Sequence, residues 1–129
     1  MNDARRKIGF IGLGVMGAPM AGHLQAAGHQ LFIHTLGKPP QAPVGGGATV
    51  CTRGRGVAGR ADVVMLMLPD TPDVELVLFG EHGVAAGLEK GKLVVDCSSI
   101  DPIATRAFAA RIAQLGCDYV DAPVSGGEV

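Results

Sequence analysis

Short apolar runs alternate with helical segments along most of the chain. The apolar runs, which predict strands, lie at residues 8–11, 31–33, 63–68, 92–96 and 119–120. Segments with helical character lie between them, at residues 15–27, 71–79 and 101–115. Strands that alternate with helices of roughly 10–15 residues are typical of βαβ units. The sequence therefore predicts an α/β fold with a Rossmann-like, doubly wound and mostly parallel sheet.

Capping residues predict where these helices begin and end. Glycines are expected to end two of them, at Gly28 and Gly116. Thr71 is the expected N-cap of the second helix, because Pro72 suits the first helical position, and the same signature recurs at Asp101. The apolar face of the last helix is predicted to contain Ile103, Ala107, Ala110 and Leu115.

The pattern deteriorates between residues 38 and 59. Three prolines and three consecutive glycines in residues 39–47 disfavour a regular crossover helix. Residues 48–51 predict a short third strand, and any helix in residues 52–60 is expected to be marginal. Arg53, Arg55 and Arg60 lie in that segment. This cluster could bind phosphate or could face solvent.

A glycine-rich turn follows the first predicted strand. Its residues are Gly12, Leu13, Gly14, Val15, Met16 and Gly17, in the pattern G-x-G-x-x-G. In a dinucleotide-binding unit the first glycine allows a tight turn, the second lets the backbone approach a pyrophosphate, and the third lets the helix pack closely. The alternative is a glycine-rich turn that binds nothing, but a second strand follows at the βαβ spacing, which favours the nucleotide.

The end of the second predicted strand bears on the choice of dinucleotide. An acidic residue there usually accepts hydrogen bonds from the ribose of NAD. Residues 34–38 contain no acid. Thr35 could bind a ribose hydroxyl, and Lys38 could meet a 2′-phosphate or could be a solvated loop charge. The residues therefore leave the preference between NAD and NADP open.

Two later strand ends carry polar groups. Ser98 and Ser99 follow a buried strand, where they could bind a polar ligand or cap the next helix. Ser125, Gly126 and Gly127 follow the last predicted strand and offer a hydroxyl with consecutive backbone N–H groups. Such a loop can hold a small carboxylate, or it can be an ordinary turn.

Composition narrows the class of protein. The 129 residues are 47% apolar with a formal net charge of −1, which indicates one folded domain and no nucleic-acid footprint. No apolar run reaches membrane-spanning length, and the polar N-terminus leaves no room for a secretory signal. Three widely spaced cysteines predict reduced, buried thiols in a cytoplasmic protein, and the histidines show no metal-ligand spacing.

Four motifs together resemble the β-hydroxyacid dehydrogenases, the family of 3-hydroxyisobutyrate dehydrogenase. They lie at residues 10–20, 67–69, 96–102 and 121–127, in the order that the family shows. The finer likeness, at residues 28–31, 69–75, 77–81 and 98–128, is to members that reduce tartronate semialdehyde to D-glycerate in glyoxylate metabolism, with NADH or NADPH. The loop of Ser125, Gly126 and Gly127 lies at the position where this family has it. That match disfavours another class of Rossmann-fold protein, such as a methyltransferase.

The resemblance implies a role for each matching position. Residues 12–17 would hold the pyrophosphate, and Thr35 occupies the position that selects the ribose. The adenosine side would be lined by Leu68 and Pro69, with Asp73 nearby. Ser99 would touch the nicotinamide end, and Ser125, Gly126 and Gly127 would bind the substrate carboxylate.

The resemblance also implies what the 129 residues lack. In this family the general acid is a lysine of a helical C-terminal domain, so we expect it beyond residue 129 and expect residues 1–129 to be an incomplete NAD(P)-binding domain. The full-length form is expected to be a homo-oligomer, with no nucleic-acid or membrane partner. Alternatives are a non-catalytic dinucleotide-binding module, an inactive truncated product, or a 3-hydroxyisobutyrate dehydrogenase.

Overall fold

Six parallel strands form one sheet in the part of the chain that the structure describes. The structure is a computed structural model that describes residues 6–12, 17–34, 47–68, 70–98 and 100–122. The strands are β1 (Lys7–Ile11), β2 (Gln30–His34), β3 (Thr49–Val50), β4 (Val63–Leu66), β5 (Leu93–Asp96) and β6 (Asp118–Asp121). Their order across the sheet is β3-β2-β1-β4-β5-β6, with every neighbouring pair parallel. This is the doubly wound order, so the predicted fold class is confirmed.

Five helices are described between the strands. They are α1 (Gly17–Ala26), α2 (Gly54–Arg60), α3 (Thr71–Phe79), α4 (Val84–Gly87) and α5 (Pro102–Gln114). The longest of these has 13 residues, and no helix in the described ranges is long and apolar enough to cross a membrane. The short third strand is confirmed, whereas most of the irregular connection before it, residues 38–46, lies outside the described residues.

Apolar side chains are buried on both faces of the sheet, because alternate residues of a strand point to opposite sides. On one face the buried cluster consists of Ile8, Phe10, Ala21, Leu31 and Ile33. The larger cluster on the other face includes Ile11, Val57, Val64, Leu66, Val74, Leu78, Val94, Phe108 and Ile112. Helix α1 therefore covers one face, while α2, α3 and α5 cover the other. In β4, Val64 and Leu66 are buried, whereas Val63 and Met65 are only partly buried. The strand ends at Leu66, two residues before the predicted end.

Helix α2 forms where the sequence predicted at most a marginal helix. Gly54, Val57 and Ala58 of this helix are buried against the sheet. Gly9 in β1 permits the contact, because a Cβ there would lie 2.3 Å from Cγ1 of Val57. Burial of this face stabilises a helix whose three glycines give it poor intrinsic propensity.

Glycine caps end α1 and α5 as predicted. Gly28 has φ of +96°, and the N–H of His29 donates to the carbonyl of Leu24 at 3.2 Å. Gly116 has φ of +79°, and the N–H of Cys117 donates to the carbonyl of Ile112 at 3.4 Å. Both sets of bonds satisfy carbonyls of the last turn, as in a Schellman motif.

The predicted N-cap of α3 was wrong by one residue. Asp70 is the N-cap, and its Oδ1 accepts from the N–H of Thr71 at 2.8 Å. Thr71 is the first helical residue, and its Oγ1 accepts from the N–H of Asp101 at 3.1 Å. The two helix starts are therefore joined directly. At the start of α5 the prediction is confirmed, since Asp101 accepts from the N–H of Ile103 at 3.3 Å.

The predicted buried face of α5 was also wrong. The structure leaves its four members, Ile103, Ala107, Ala110 and Leu115, exposed. The buried residues are Thr105, Phe108 and Ile112. The hydroxyl of Thr105 donates to the carbonyl of Asp101 at 3.1 Å, so this polar side chain is satisfied within its own helix and can face the sheet.

Candidate functional site

The carboxyl ends of the central strands lie in one row along an edge of the sheet. The register places Ile11 beside His34 on one side and beside Leu66 on the other, and Leu66 beside Asp96. Strand order reverses at β1, because the chain runs from β1 to β2 and β3 on one side and then crosses to β4. Ligands of open α/β sheets bind outside the carboxyl ends of the strands at such a point.

Gly12 occupies this point and has no room for a side chain. Its φ is +90°, and its N–H donates to the carbonyl of His34 at 3.1 Å. A Cβ on Gly12 would lie 2.2 Å from the carbonyl oxygen of Met67 and 2.8 Å from Cδ2 of Leu68. The left-handed φ is one requirement for glycine at this position, and the close approach to the end of β4 is a second.

Most other predicted site residues lie outside the described part of the chain. These are Leu13, Gly14, Val15, Met16, Thr35, Pro69, Ser99, Ser125, Gly126 and Gly127. Gly17 is described as the first residue of α1. Leu68 and Asp73 are described, and both lie near the row of strand ends.

Leu68 belongs to a buried hydrogen-bond network that connects the ends of β4 and β5 with a side chain of β6. Its N–H donates to Oγ of Ser98 at 2.8 Å, and the N–H of Ser98 donates to Oδ1 of Asp96 at 2.9 Å. The hydroxyl of Tyr119 in β6 donates to Oδ2 of the same Asp96. Asp96 and Ser98 are fully or almost fully buried. The network therefore fixes the segment after β4 against β5 and β6.

Ser98 lacks one of the two roles that the sequence offered. It does not cap α5, because Asp101 does, and its hydroxyl accepts from the N–H of Leu68. Ser98 and Leu68 are 30 residues apart in the chain, so no local sequence pattern could predict this hydrogen bond. The network consists of positioning residues behind the site.

Burial shapes the acid–base behaviour of groups near this network. Burial raises the pKa of Tyr119, and the hydrogen bond to Asp96 together with the charges of Asp96 and Asp121 raises it further. Burial raises the pKa of the Cys97 thiol, and the charge of Asp96 adds to this shift. All three cysteines are buried and free, which confirms the burial that the sequence predicted for them. Within the described ranges no group of three or more His, Cys, Asp or Glu side chains could hold a metal ion.

A cavity of about 360 Å³ opens beside the carboxyl end of β2. Its lining includes His34, Thr52, Arg53, Asp73, Val77 and His82. Nδ1 of His34 lies 3.1 Å from the carbonyl oxygen of Cys51, so this nitrogen carries the proton and holds the ring against β3. The volume lies in the range of roughly 300–1,000 Å³ that is usual for small-molecule sites.

The predicted Asp73 lies in this cavity together with His34, from the end of β2. Asp73 is in the first turn of α3, which Asp70 caps, so the helix start fixes its position. Sequence reasoning missed Thr52 and His82, which come from the connections after β3 and after α3. Arg53 belongs to the arginine cluster for which the sequence left phosphate binding open. The arrangement offers apolar walls with a few polar groups at the β2 end, where a doubly wound fold places the adenosine ribose.

Fold and site together define a dinucleotide-binding protein of the doubly wound α/β class. A family model, the NAD binding domain of 6-phosphogluconate dehydrogenase, matches residues 7–129. The chain belongs to this family, and its cofactor is therefore NAD or NADP.

Three known proteins illustrate the similarity. The 2-hydroxy-3-oxopropionate reductase of Escherichia coli (strain K12) is 51% identical over 123 residues, which are 95% of this chain and 42% of the reductase. The structure of Mycobacterium tuberculosis 3-hydroxyisobutyrate dehydrogenase with L-serine superposes with a TM-score of 0.84 at 33% identity, covering 95% of this chain and 42% of that one. The structure of Psf3 in complex with NADP+ and 2-OPP gives a TM-score of 0.85 at 31% identity, covering 93% and 43%. The chain thus spans less than half the length of the relatives that it matches.

Proposed function

We propose that the chain is the cofactor-binding part of a reductase that converts tartronate semialdehyde to D-glycerate. The identity to the E. coli reductase exceeds the identity to the M. tuberculosis 3-hydroxyisobutyrate dehydrogenase, which favours the first substrate over the second. The observation that carries the proposal is Gly12, a left-handed glycine packed on Met67 at the point where strand order reverses. A side chain there would clash with the segment after β4, at the edge of the sheet where doubly wound folds bind dinucleotides.

The proposed contacts follow the path of an extended dinucleotide along the row of strand ends. Residues 12–17 would bind the pyrophosphate at the start of α1. The adenosine would occupy the 360 Å³ cavity with Asp73 in its wall, while Thr35, Leu68 and Pro69 would lie along the ribose. The last proposed contacts are Ser99 to the nicotinamide and Ser125, Gly126 and Gly127 to the substrate carboxylate.

We propose that the general acid comes from outside these 129 residues. Hydride transfer is the chemistry of the nicotinamide, and a lysine would protonate the forming alkoxide. Lys7 begins β1, and Lys92 directly precedes β5 with its Nζ donating to the carbonyl of Ala58 at 2.6 Å. Lys90 lies beside Gly116, just before β6. These three lysines are therefore at the amino ends of strands, across the sheet from the site.

Calorimetric titration with NADH and NADPH tests the binding part of this proposal. We expect micromolar affinity for at least one of them, with a single site per chain. The absence of binding to either cofactor would contradict the proposal.

Steady-state kinetics tests the catalytic part. With tartronate semialdehyde and NADPH, we expect the 129-residue chain alone to bind cofactor but to show negligible turnover, because no described lysine faces the site. Turnover at the rate of an ordinary dehydrogenase would contradict the proposal that the general acid comes from outside these residues. The second candidate is a non-catalytic dinucleotide-binding module. It is favoured if forms of the protein that extend beyond residue 129 also fail to turn over tartronate semialdehyde and 3-hydroxyisobutyrate.

A further inference from the structure

Asp96 is a buried carboxylate that the proposed cofactor contacts leave unused. It is the last residue of β5, and its side chain has 0% exposure. Aspartate is almost never buried completely in proteins unless its charge is paired. Complete burial of this side chain at the carboxyl edge of the sheet therefore indicates a role beyond packing.

Hydrogen bonds stabilise this carboxylate without a cation in contact. Its Oδ1 accepts from the N–H of Ser98 at 2.9 Å, and its Oδ2 accepts from the hydroxyl of Tyr119. None of the ion pairs found among the described residues includes Asp96. Both carboxylate oxygens act as acceptors, as expected for the ionised form. One net negative charge therefore remains at this strand end.

Burial makes the charge of Asp96 effective over a longer distance than that of an exposed carboxylate. Water and salt screen exposed charges, whereas buried charges are screened much less. The neighbouring thiol of Cys97 responds to it, since burial raises the pKa of this thiol and the charge of Asp96 raises it further. At an effective dielectric constant of about 20, a unit charge about 10 Å from another changes an equilibrium constant by roughly tenfold.

The position that the proposed function gives to the nicotinamide is next to this charge. In a doubly wound fold the dinucleotide crosses from one half of the sheet to the other, so its two nucleotides lie at different strand ends. The adenosine is assigned to the end of β2, which leaves the ends of β4 and β5 for the nicotinamide. Ser98, whose N–H donates to Asp96, directly precedes Ser99, the residue proposed to contact the nicotinamide.

We propose that the charge of Asp96 shifts the relative affinity of the site toward the oxidised cofactor. This rests on the proposed function, because it takes the nicotinamide to lie at the ends of β4 and β5. The oxidised nicotinamide ring carries one positive charge and the reduced ring carries none, so a buried negative charge nearby stabilises the oxidised ring selectively. The same charge favours the reductive direction, in which the reduced ring loses a hydride to the aldehyde carbon and the general acid supplies the proton of the new hydroxyl.

Asp96→Asn tests the role of the charge, because asparagine can keep both hydrogen bonds. Its amide oxygen can accept from the N–H of Ser98, and its NH2 group can donate to the hydroxyl of Tyr119. Calorimetric titrations with the oxidised and reduced forms of NAD or NADP, whichever binds more tightly, give the ratio of the two dissociation constants. We expect Asp96→Asn to shift this ratio by roughly tenfold in favour of the reduced form, a difference of about 1.4 kcal/mol.

The matched control is Asp121→Asn. Asp121 is exposed and lies beside Asp96 in the register of β5 and β6, so the control removes the same kind of charge from the same edge of the sheet. Because solvent screens this charge, we expect the ratio to change by less than about twofold. Titration with 5′-AMP should give affinities within about twofold of wild type for both variants, since the adenosine cavity is a separate part of the site.

The outcomes separate this proposal from the proposed function. An equal loss of affinity for both forms of the cofactor in Asp96→Asn would show a purely structural role and would overturn the proposal, while the proposed function would stand. A shift of the ratio in Asp121→Asn as large as in Asp96→Asn would overturn it as well. Absence of binding of both forms to the wild-type chain would instead contradict the proposed function.

The wild-type chain provides a second test that does not depend on the folding of Asp96→Asn. The phosphates are the same in both forms of the cofactor, so their salt dependence cancels in the ratio of dissociation constants. Because a buried charge is screened little, the ratio should change by less than about twofold between about 50 and 500 mM salt. A larger change would assign the preference to exposed charges and overturn the proposal.

Discussion

At the scale of single residues, Gly12 has the strictest requirement in the described site. A left-handed φ and a carbonyl 2.2 Å from the place of a Cβ both exclude a side chain. Gly22 in α1 offers the opposite case, because a Cβ there would meet nothing within 4 Å. The two glycines differ in environment and therefore in the expected effect of the same substitution.

Gly12→Ala is predicted to destabilise the protein and to abolish dinucleotide binding. The strained backbone and the clash with Met67 each cost about 1 kcal/mol or more, so we expect a loss of at least about 2 kcal/mol in the free energy of unfolding. Gly22→Ala should instead stabilise by about 0.5–1 kcal/mol, since it replaces a helical glycine. Urea denaturation and NADPH titration measure both effects, and similar results for the two variants would contradict the explanation.

Tyr119→Phe is predicted to destabilise by about 1–3 kcal/mol, because it removes the hydroxyl that donates to the buried carboxylate of Asp96. Asp118→Asn, at an exposed position of the same strand, is the control and should change stability by less than about 0.5 kcal/mol. Equal midpoints of urea denaturation for wild type and Tyr119→Phe would show that the hydrogen bond contributes nothing.

Alkaline pH is predicted to destabilise the protein. The pKa values of Cys51 and Cys97 are raised above 9.0, and that of Tyr119 above 10.0. The unfolded chain loses these protons at lower pH than the folded chain, so the free energy of unfolding falls as pH rises above about 9. In Tyr119→Phe the part of the fall above about pH 10 should be smaller. Urea midpoints measured between pH 7 and 11 test this, and parallel curves would contradict it.

At the scale of elements, helix starts at the carboxyl edge position the site. Asp70 caps α3, and Thr71 accepts from the N–H of Asp101 at the start of α5. The proline after each cap made both starts predictable, but the choice between Asp70 and Thr71 as N-cap depended on a contact with a helix 30 residues away. Similarly, the buried face of α5 was missed because Thr105 is polar and is satisfied internally.

Asp70→Ala is predicted to destabilise α3 by about 1 kcal/mol, the usual effect of losing an N-cap side chain. It should also weaken cofactor binding, since Asp73 in the next turn lines the adenosine cavity. Glu75→Ala, at an exposed position of the same helix, is the control. Thermal denaturation with and without NADPH tests both parts, and equal stability of the two variants would argue against Asp70 as the cap.

At the scale of the whole molecule, one sheet separates two core clusters. Leu31 is buried on the α1 side and Leu78 on the side of α2, α3 and α5. Because both clusters pack on the same strands, loss of either is expected to weaken a single cooperative unit.

Leu31→Ala and Leu78→Ala are each predicted to cost about 2–5 kcal/mol and to keep one unfolding transition. Leu76→Ala is the control, because this leucine lies on the same helix as Leu78 but is 66% exposed, and it should cost less than about 0.5 kcal/mol. Circular dichroism during urea denaturation measures the change, and two separate transitions in either variant would contradict the shared unit.

The sequence by itself determined the class of fold, most element boundaries and the glycine at the start of the cofactor site. These features depend on local patterns: apolar runs, caps with prolines, and a glycine whose conformation other residues disfavour. Only the tertiary structure decided that α2 is a stable helix, that Ser98 holds Leu68, and that Arg53 and His82 line one cavity with Asp73. Each of these depends on contacts between residues far apart in the chain. Such contacts produce no regular spacing in the sequence, so no local pattern predicts them.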